Sequence, residues 1–175
     1  MAAVRTLMQD DAQIEQLIPA LRRFAWGLCR DSHDADDLVQ DCVERALSRW
    51  HLRRPDGNLR AWLFTILYNE FINGRRRFAR RGPMTSIDEL TVEPGIAEDQ
   101  EQNLHVKDVM DGIERLPADH RAVILMVGVE DLTYEETAQA LGVPIGTVMS
   151  RLSRAREKLR TLLGNEPPVT LRRVK

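Results

Sequence analysis

The chain has only two cysteines, Cys29 and Cys42, which excludes a small disulfide scaffold. No uninterrupted apolar run approaches the roughly 20 residues a membrane helix needs, so no membrane insertion is expected. The N-terminus, MAAVRTLMQDDAQ, lacks a basic start followed by an apolar core and is no secretory signal. With 8 prolines and 10 glycines the chain is not collagen-like or dominated by these residues. There is no Ser/His/Asp set, no Walker-type glycine loop and no Cys/His metal spacing. No enzyme, cofactor or metal site is therefore expected. His33, His51, His105 and His120 are scattered and read as surface residues. Cys29 and Cys42 fall on apolar faces and read as buried thiols.

What is present is a chain of 175 residues, 43% hydrophobic and 30% charged, long enough for one domain or two small ones. That balance belongs to a soluble globular protein, and a reduced, cytoplasmic setting is expected. The net charge of -2 hides a pattern. Residues 1–82 carry a net +3, residues 83–103 a net -6 with no basic residue, and residues 104–175 a net +1. The middle segment, PMTSIDELTVEPGIAEDQEQN, has a linker composition extended by charge repulsion. At 21 residues it is too long for a loop inside a compact domain, so a boundary is expected there. The expected organisation is a domain at 1–82, an acidic linker at 83–103 and a second domain at 104–175. A frayed tail is expected from Gly164.

Both flanking blocks have helical periods and neither has an alternating run that would make a strand. In the first, Ile14, Leu17, Ile18, Leu21, Phe24, Ala25 and Leu28 recur at three- and four-residue steps, with Pro19 expected to break the stretch. Asp31 or Ser32 is placed to cap a helix striped by Ala35, Leu38, Val39, Cys42, Ala46 and Leu47. After a turn at Pro55–Asn58, a long helix from Leu59 would bury Leu59, Trp62, Leu63, Ile66, Leu67 and Phe71. The fold class is all-α, two small helical domains.

In the second block Pro117 opens a helix with Val123, Ile124 and Val127 buried. Thr133 and Glu136 have capping-box spacing, and Gly142 is placed to end the helix that follows. A short turn leads into Ile145–Leu159, whose inner face is Ile145, Val148, Leu152, Ala155 and Leu159. The outer face must then show Thr147, Met149, Ser150, Arg151, Ser153, Arg154 and Lys158. Two helices joined by a glycine-containing turn, the second offering Arg and Ser, describe a DNA-binding helix-turn-helix. Arg forks read guanine edges, and Ser, Lys and other Arg residues hold phosphates.

Two features of the first block need more than a helical bundle. Asp34, Asp37 and Asp41 share a helical face, with Asp36 and Gln40 beside them. A first-turn dipole effect covers Asp34, Asp36 and Asp37 but not Asp41, and carboxylates of one helix make a poor metal site. A docking face for a basic partner fits better. The segment WLFTILYNEFINGRRRFARR leaves Thr65, Tyr68, Asn69, Ile72, Asn73 and Arg76 on the expected outer side, next to Arg75, Arg77, Arg80 and Arg81. Aromatic and amide groups beside clustered Arg suit single-stranded DNA. On the plainer alternative Trp62 and Phe78 are core and the Arg cluster is a solvated helix end; Trp62 reads as core.

The runs DADDLVQD (Asp34–Asp41), WLFTILYNEFINGRRR (Trp62–Arg77) and LTYEETAQALGVPIGTVMSRLSRAREKLR (Leu132–Arg160) together resemble the extracytoplasmic-function group of bacterial sigma-70 factors. The likeness runs from Ile14 to Leu163. It implies sigma region 2, a linker and sigma region 4. By resemblance, Asp34, Asp37, Leu38, Gln40 and Asp41 form the surface for the coiled coil of the polymerase largest subunit. Tyr68, Asn69, Asn73, Arg76, Arg77 and Arg80 are similar to the segment that melts and reads the minus-ten element. Thr147, Met149, Ser150, Arg151, Ser153, Arg154 and Lys158 fall on the minus-thirty-five reader. The family often has Arg where this chain has Met149, and an aromatic where it has Ser153. The implied partners are core RNA polymerase (largest and second-largest subunits), promoter DNA and an anti-sigma factor. The alternative is a stand-alone helix-turn-helix regulator acting without polymerase, which has no use for the acidic face.

Overall fold

The computed structural model describes residues 2–54, 56–81 and 108–164. The linker at 83–103, His105, Pro55 and the tail beyond Gly164 lie outside them. The helices are α1 (Ala2–Cys29), α2 (Ser32–Ser48), a 3-10 turn (Trp50–Leu52), α3 (Leu59–Arg81), α4 (108–114), α5 (Ala118–Gly128), α6 (Tyr134–Leu141) and α7 (Ile145–Leu162). Among the described residues there is no strand.

Helix α1 runs straight through Pro19, against expectation. Glu15 and Pro19 are both exposed, so the carbonyl that loses its amide partner is left to water. Ile14 on one side of the proline and Leu21, Phe24 and Leu28 on the other are all buried. A break between them would split one continuous apolar face. The helix ends at Arg30, a non-glycine residue at φ 60°. Its guanidinium lies 4.3 Å from the Trp26 ring and 3.3 Å from both Asp111 and Glu114, contacts that hold this backbone.

Asp31 caps α2 by accepting the amide of Asp34 at 2.8 Å. Ala35, Leu38, Val39, Cys42 and Ala46 are buried, but Leu47 at the helix end is exposed. In α3 the buried set is wider than one stripe. Phe64 and Tyr68 are buried with Leu63, Ile66 and Leu67, while Leu59, Trp62 and Phe71 are half-buried. The cause is tertiary: α1 and α2 cover one side of α3 and α6 covers another. Phe78 is exposed. Glu70 is buried too, with its carboxylate 2.7 Å from Arg45.

In the second half five successive residues, Ala122 to Met126, are buried, because α5 packs on α1, α6 and α7 at once. Pro117 is the residue before α5 and not its first. The capping box at Thr133 and Glu136 is formed in both directions. Gly142 takes the left-handed conformation at φ 64° that ends α6. Val148, Leu152, Ala155 and Leu159 bury the inner side of α7, whereas Ile145, in its first turn, is exposed.

Candidate nucleic-acid interface

The acidic side chains of α2 stand in solvent. Asp34, Asp36, Asp37, Gln40 and Asp41 are all exposed, but Leu38 is 8% exposed and belongs to the core. Leu38 packs into the core beneath the exposed acidic row, and its side chain is not part of the free surface. Two of the carboxylates have weak partners, Asp36 with Arg22 at 3.0 Å and Asp37 with His33 at 3.7 Å. Exposed pairs of this kind contribute little and leave the face negative.

On α3, Asn69, Asn73, Arg76, Arg77 and Arg80 are exposed, but Tyr68 is buried. Burial first, and then the nearby Asp119 carboxylate, push its phenol above the usual range. Tyr68, Asn69, Asn73 and Arg76 line a cleft of about 260 Å³ whose far wall is Asp119, Leu141, Val143 and Arg151. Tyr68, Asn69, Asn73 and Arg76 therefore border the second half of the chain, while Arg77 and Arg80 stand in solvent outside the cleft.

On α7, Met149, Ser150, Ser153, Arg154 and Lys158 are exposed, and Thr147 and Arg151 are half-buried. Arg151 gives its guanidinium to Asp119 at 2.8 Å. Arg151, Arg154 and Lys158 all lie near His120, whose pKa is lowered by burial and then by these positive charges. His120 is half-buried, not a free surface residue, and its buried Nδ1 has no hydrogen-bond partner.

The first half of the chain matches the model described as the Sigma2 domain of PhyR, over residues 14–68. The second half matches sigma-70 region 4, over residues 107–159. The ECF RNA polymerase sigma factor EcfG of Rhodopseudomonas palustris (strain TIE-1) is 37% identical over 159 residues, covering 89% of this chain and 84% of EcfG. The chain belongs to the ECF sigma factors. SigE of Mycolicibacterium smegmatis is 30% identical, over 91% of this chain and 63% of SigE. Among solved structures, the sigma factor RpoE from Bartonella quintana, in complex with the anti-sigma factor NepR, superposes with a TM-score of 0.80. It is 33% identical and the match covers 91% of this chain and 99% of RpoE. CnrH, in complex with the cytosolic domain of CnrY, follows at a TM-score of 0.65 and 26% identity, over 90% of this chain and 88% of CnrH. Finding both a region 2 and a region 4 domain in one chain supports the sigma factor over a stand-alone regulator.

The structure of this sigma factor adds residues that periodicity missed. A second cleft, of about 290 Å³, runs along α7 beside Met149 and Ser153 and is lined by Tyr134, Arg156 and Arg160. Arg156 and Arg160 follow Met149 by seven and eleven positions, a helical step that a wider reading of the outer face would have included. The α7 helix thus shows basic groups on two sides, one beside His120 and one beside Tyr134. Cys42 is buried as expected but Cys29 is half-buried, and burial first, then neighbouring carboxylates, push both thiols up to about 12. No described helix is long and apolar enough to cross a membrane.

Proposed function

We propose that this ECF sigma factor docks on core RNA polymerase through the exposed acidic residues of α2 and directs it to promoters through α3 and α7. In this reading Asp34, Asp37, Gln40 and Asp41 meet a basic coiled coil of the largest subunit. Tyr68, Asn69 and Asn73 take up unpaired minus-ten bases, while Arg76, Arg77 and Arg80 hold the backbone. On α7, Ser150 and Arg154 contact base edges of the minus-thirty-five duplex, and Thr147, Arg151, Ser153 and Lys158 follow its phosphates. Met149 donates no hydrogen bond and contributes apolar contact only. In this reading the domains are 1–82 and 104–175, joined by an acidic linker at 83–103. The protein works in the cytoplasm, where polymerase and DNA are, and does no chemistry of its own.

The observation that carries this reading is one chain with both a solvent-exposed acidic helix face and a helix-turn-helix with basic groups on two sides. Bartonella RpoE is bound by an anti-sigma factor, and we assign a partner of that kind to this chain as well. Runoff transcription with core polymerase on a genomic promoter library tests the proposal. Specific start sites that appear only when this protein is added are expected. Specific duplex binding without polymerase, and no transcript with it, would favour the stand-alone regulator.

A further inference from the structure

His120, in the first turn of α5, carries a polar atom that the fold leaves unanswered. The ring is half-buried, and its Nδ1 is buried with no hydrogen-bond partner. A histidine kept only to fill space would have that nitrogen matched, because an unpaired buried polar group is destabilising. The neutral ring with its proton on Nε2 leaves only a bare acceptor at Nδ1. It also leaves Nε2 as the nitrogen able to meet an incoming group.

The neighbours of this ring on α7 are basic. Arg151, Arg154 and Lys158 follow one another at three- and four-residue steps along the side of α7 near His120. Arg151 is tied to Asp119 at 2.8 Å, but Arg154 and Lys158 are exposed and have no ion pair among the described residues. Of the charges acting on the ring, only that of Asp119 is negative, and this carboxylate is already engaged. Across the adjoining cleft α3 presents Arg76 and the phenol of Tyr68, which burial keeps neutral. None of the charges acting on the ring comes from α1 or α6, which also pack on α5. Burial first, and then Arg151 and Arg154, hold its pKa below the ordinary histidine value, with Lys158 adding to them and Asp119 opposing. The ring is therefore neutral at physiological pH in a field of net positive sign. An anion placed there would relieve the mutual repulsion of the cations and favour the charged ring as well.

We propose that His120 is a further promoter contact, whose Nε2 donates to a phosphate of the minus-thirty-five duplex beside Arg151 and Lys158 while the ring takes up one proton from solvent. The proposal rests on the sigma reading above and adds to it a residue outside the helix-turn-helix, from α5. A phosphate raises the pKa of the ring in the complex above its value in the free protein. Binding is then linked to proton uptake, so affinity rises as pH falls through the bound value and levels off below the free one. Each unit of difference between the two values contributes up to about tenfold.

The test uses the full chain assembled with core polymerase, on a duplex promoter taken from the runoff assay. The comparison is His120→Gln, whose amide donates a hydrogen bond but never carries charge. Between pH 8 and pH 6 wild type should gain about five- to tenfold in promoter affinity relative to this variant. Its salt slope should steepen by about one over the same range, and that of the variant should not. A residue that only packs α5 would leave the two profiles parallel. A second measurement needs no variant. Calorimetric titration of the wild-type holoenzyme with promoter, at constant pH in two buffers of different ionisation heat, should show proton uptake that a single methylphosphonate in the minus-thirty-five segment removes. Parallel pH profiles, or equal heats in the two buffers, overturn the proposal. So does a pH effect of the same size on assembly with core polymerase before DNA is added, which would give His120 to a protein surface. Specific start sites with parallel profiles leave the sigma reading standing and remove His120 from the interface. If the runoff assay gives no start site, the sigma reading fails there, and the same pH and salt measurements on a mixed-sequence duplex decide whether His120 meets phosphate.

Discussion

Arg151 of α7 and Asp119 of α5 are joined at 2.8 Å, so an arginine of the helix proposed to read the minus-thirty-five element is already committed to a carboxylate of its own half of the chain. Arg154, one turn along, is exposed and has no such partner among the described residues. A guanidinium tethered at one end keeps donors for a phosphate but loses the freedom to fork onto a base edge. Arg151→Ala should therefore weaken holoenzyme binding about evenly across promoters and lower the salt slope by about one. Arg154→Ala should cost about 1–3 kcal/mol at one promoter position. Binding to a set of single-base promoter variants at several salt concentrations separates the two. The reverse pattern would exchange their roles.

The turn of the helix-turn-helix depends on two local devices. Thr133 accepts the Glu136 amide at 3.1 Å, and Glu136 accepts the Thr133 amide at 2.8 Å. Thr133→Ala should lower stability by about 1 kcal/mol. Gly142→Ala has open space for its methyl group but a left-handed backbone, and should cost about 1–2 kcal/mol. Urea denaturation measures both, and minus-thirty-five binding should fall only as far as the folded fraction does.

These caps were legible in the sequence because each is settled within four residues. So were the helical class, the α2 stripe up to Ala46 and the inner face of α7 from Val148 onward. What sequence could not supply is contact across the chain. Arg23 and Glu130 are 107 positions apart, and nothing local marks Glu130 as buried. Tyr68 fell on the outer side of α3 by period and is buried where Asp119, Leu141 and Arg151 of the second half lie beside it. Leu38 shows the reverse case, a residue placed among the docking residues by its acidic motif whose side chain is buried in the core. Pro19 gives a stop signal that long-range packing overrides.

Cys42 ties stability to alkaline pH. Burial first, and the Glu70 charge second, raise its thiol from 9.0 to about 12. The unfolded chain ionises this group above pH 9 and the folded chain does not. The stabilisation is thus complete below pH 9 and is lost as pH climbs toward 12. At pH 10 the loss from this one thiol should be about 1.4 kcal/mol. Urea midpoints measured between pH 8 and 10.5 should fall, and the slope should be shallower in Cys42→Ala, whatever that substitution costs in packing. Equal slopes would mean that the thiol does not titrate differently in the two states.

The acidic face of α2 permits a test that leaves the fold untouched. Asp37 and Asp41 are exposed, lie four residues apart on one side of the helix, and point away from the buried row of Leu38, Val39 and Cys42. Asp37 has only the 3.7 Å contact with His33, and Asp41 has no ion pair among the described residues. Asp37→Lys/Asp41→Lys reverses the sign of the face without removing a cap or a core contact, so helical circular dichroism should match wild type. Rim charges act mainly on encounter, so the association rate with core polymerase should fall by about tenfold at low salt. The gap should narrow as salt rises, because charges beyond about 8–10 Å are screened near physiological ionic strength. Surface plasmon resonance at three salt concentrations reads both effects. Wild-type association at low salt would remove α2 as the docking face, and a defect that persists unchanged at high salt would point to a lost shape contact instead of a charge.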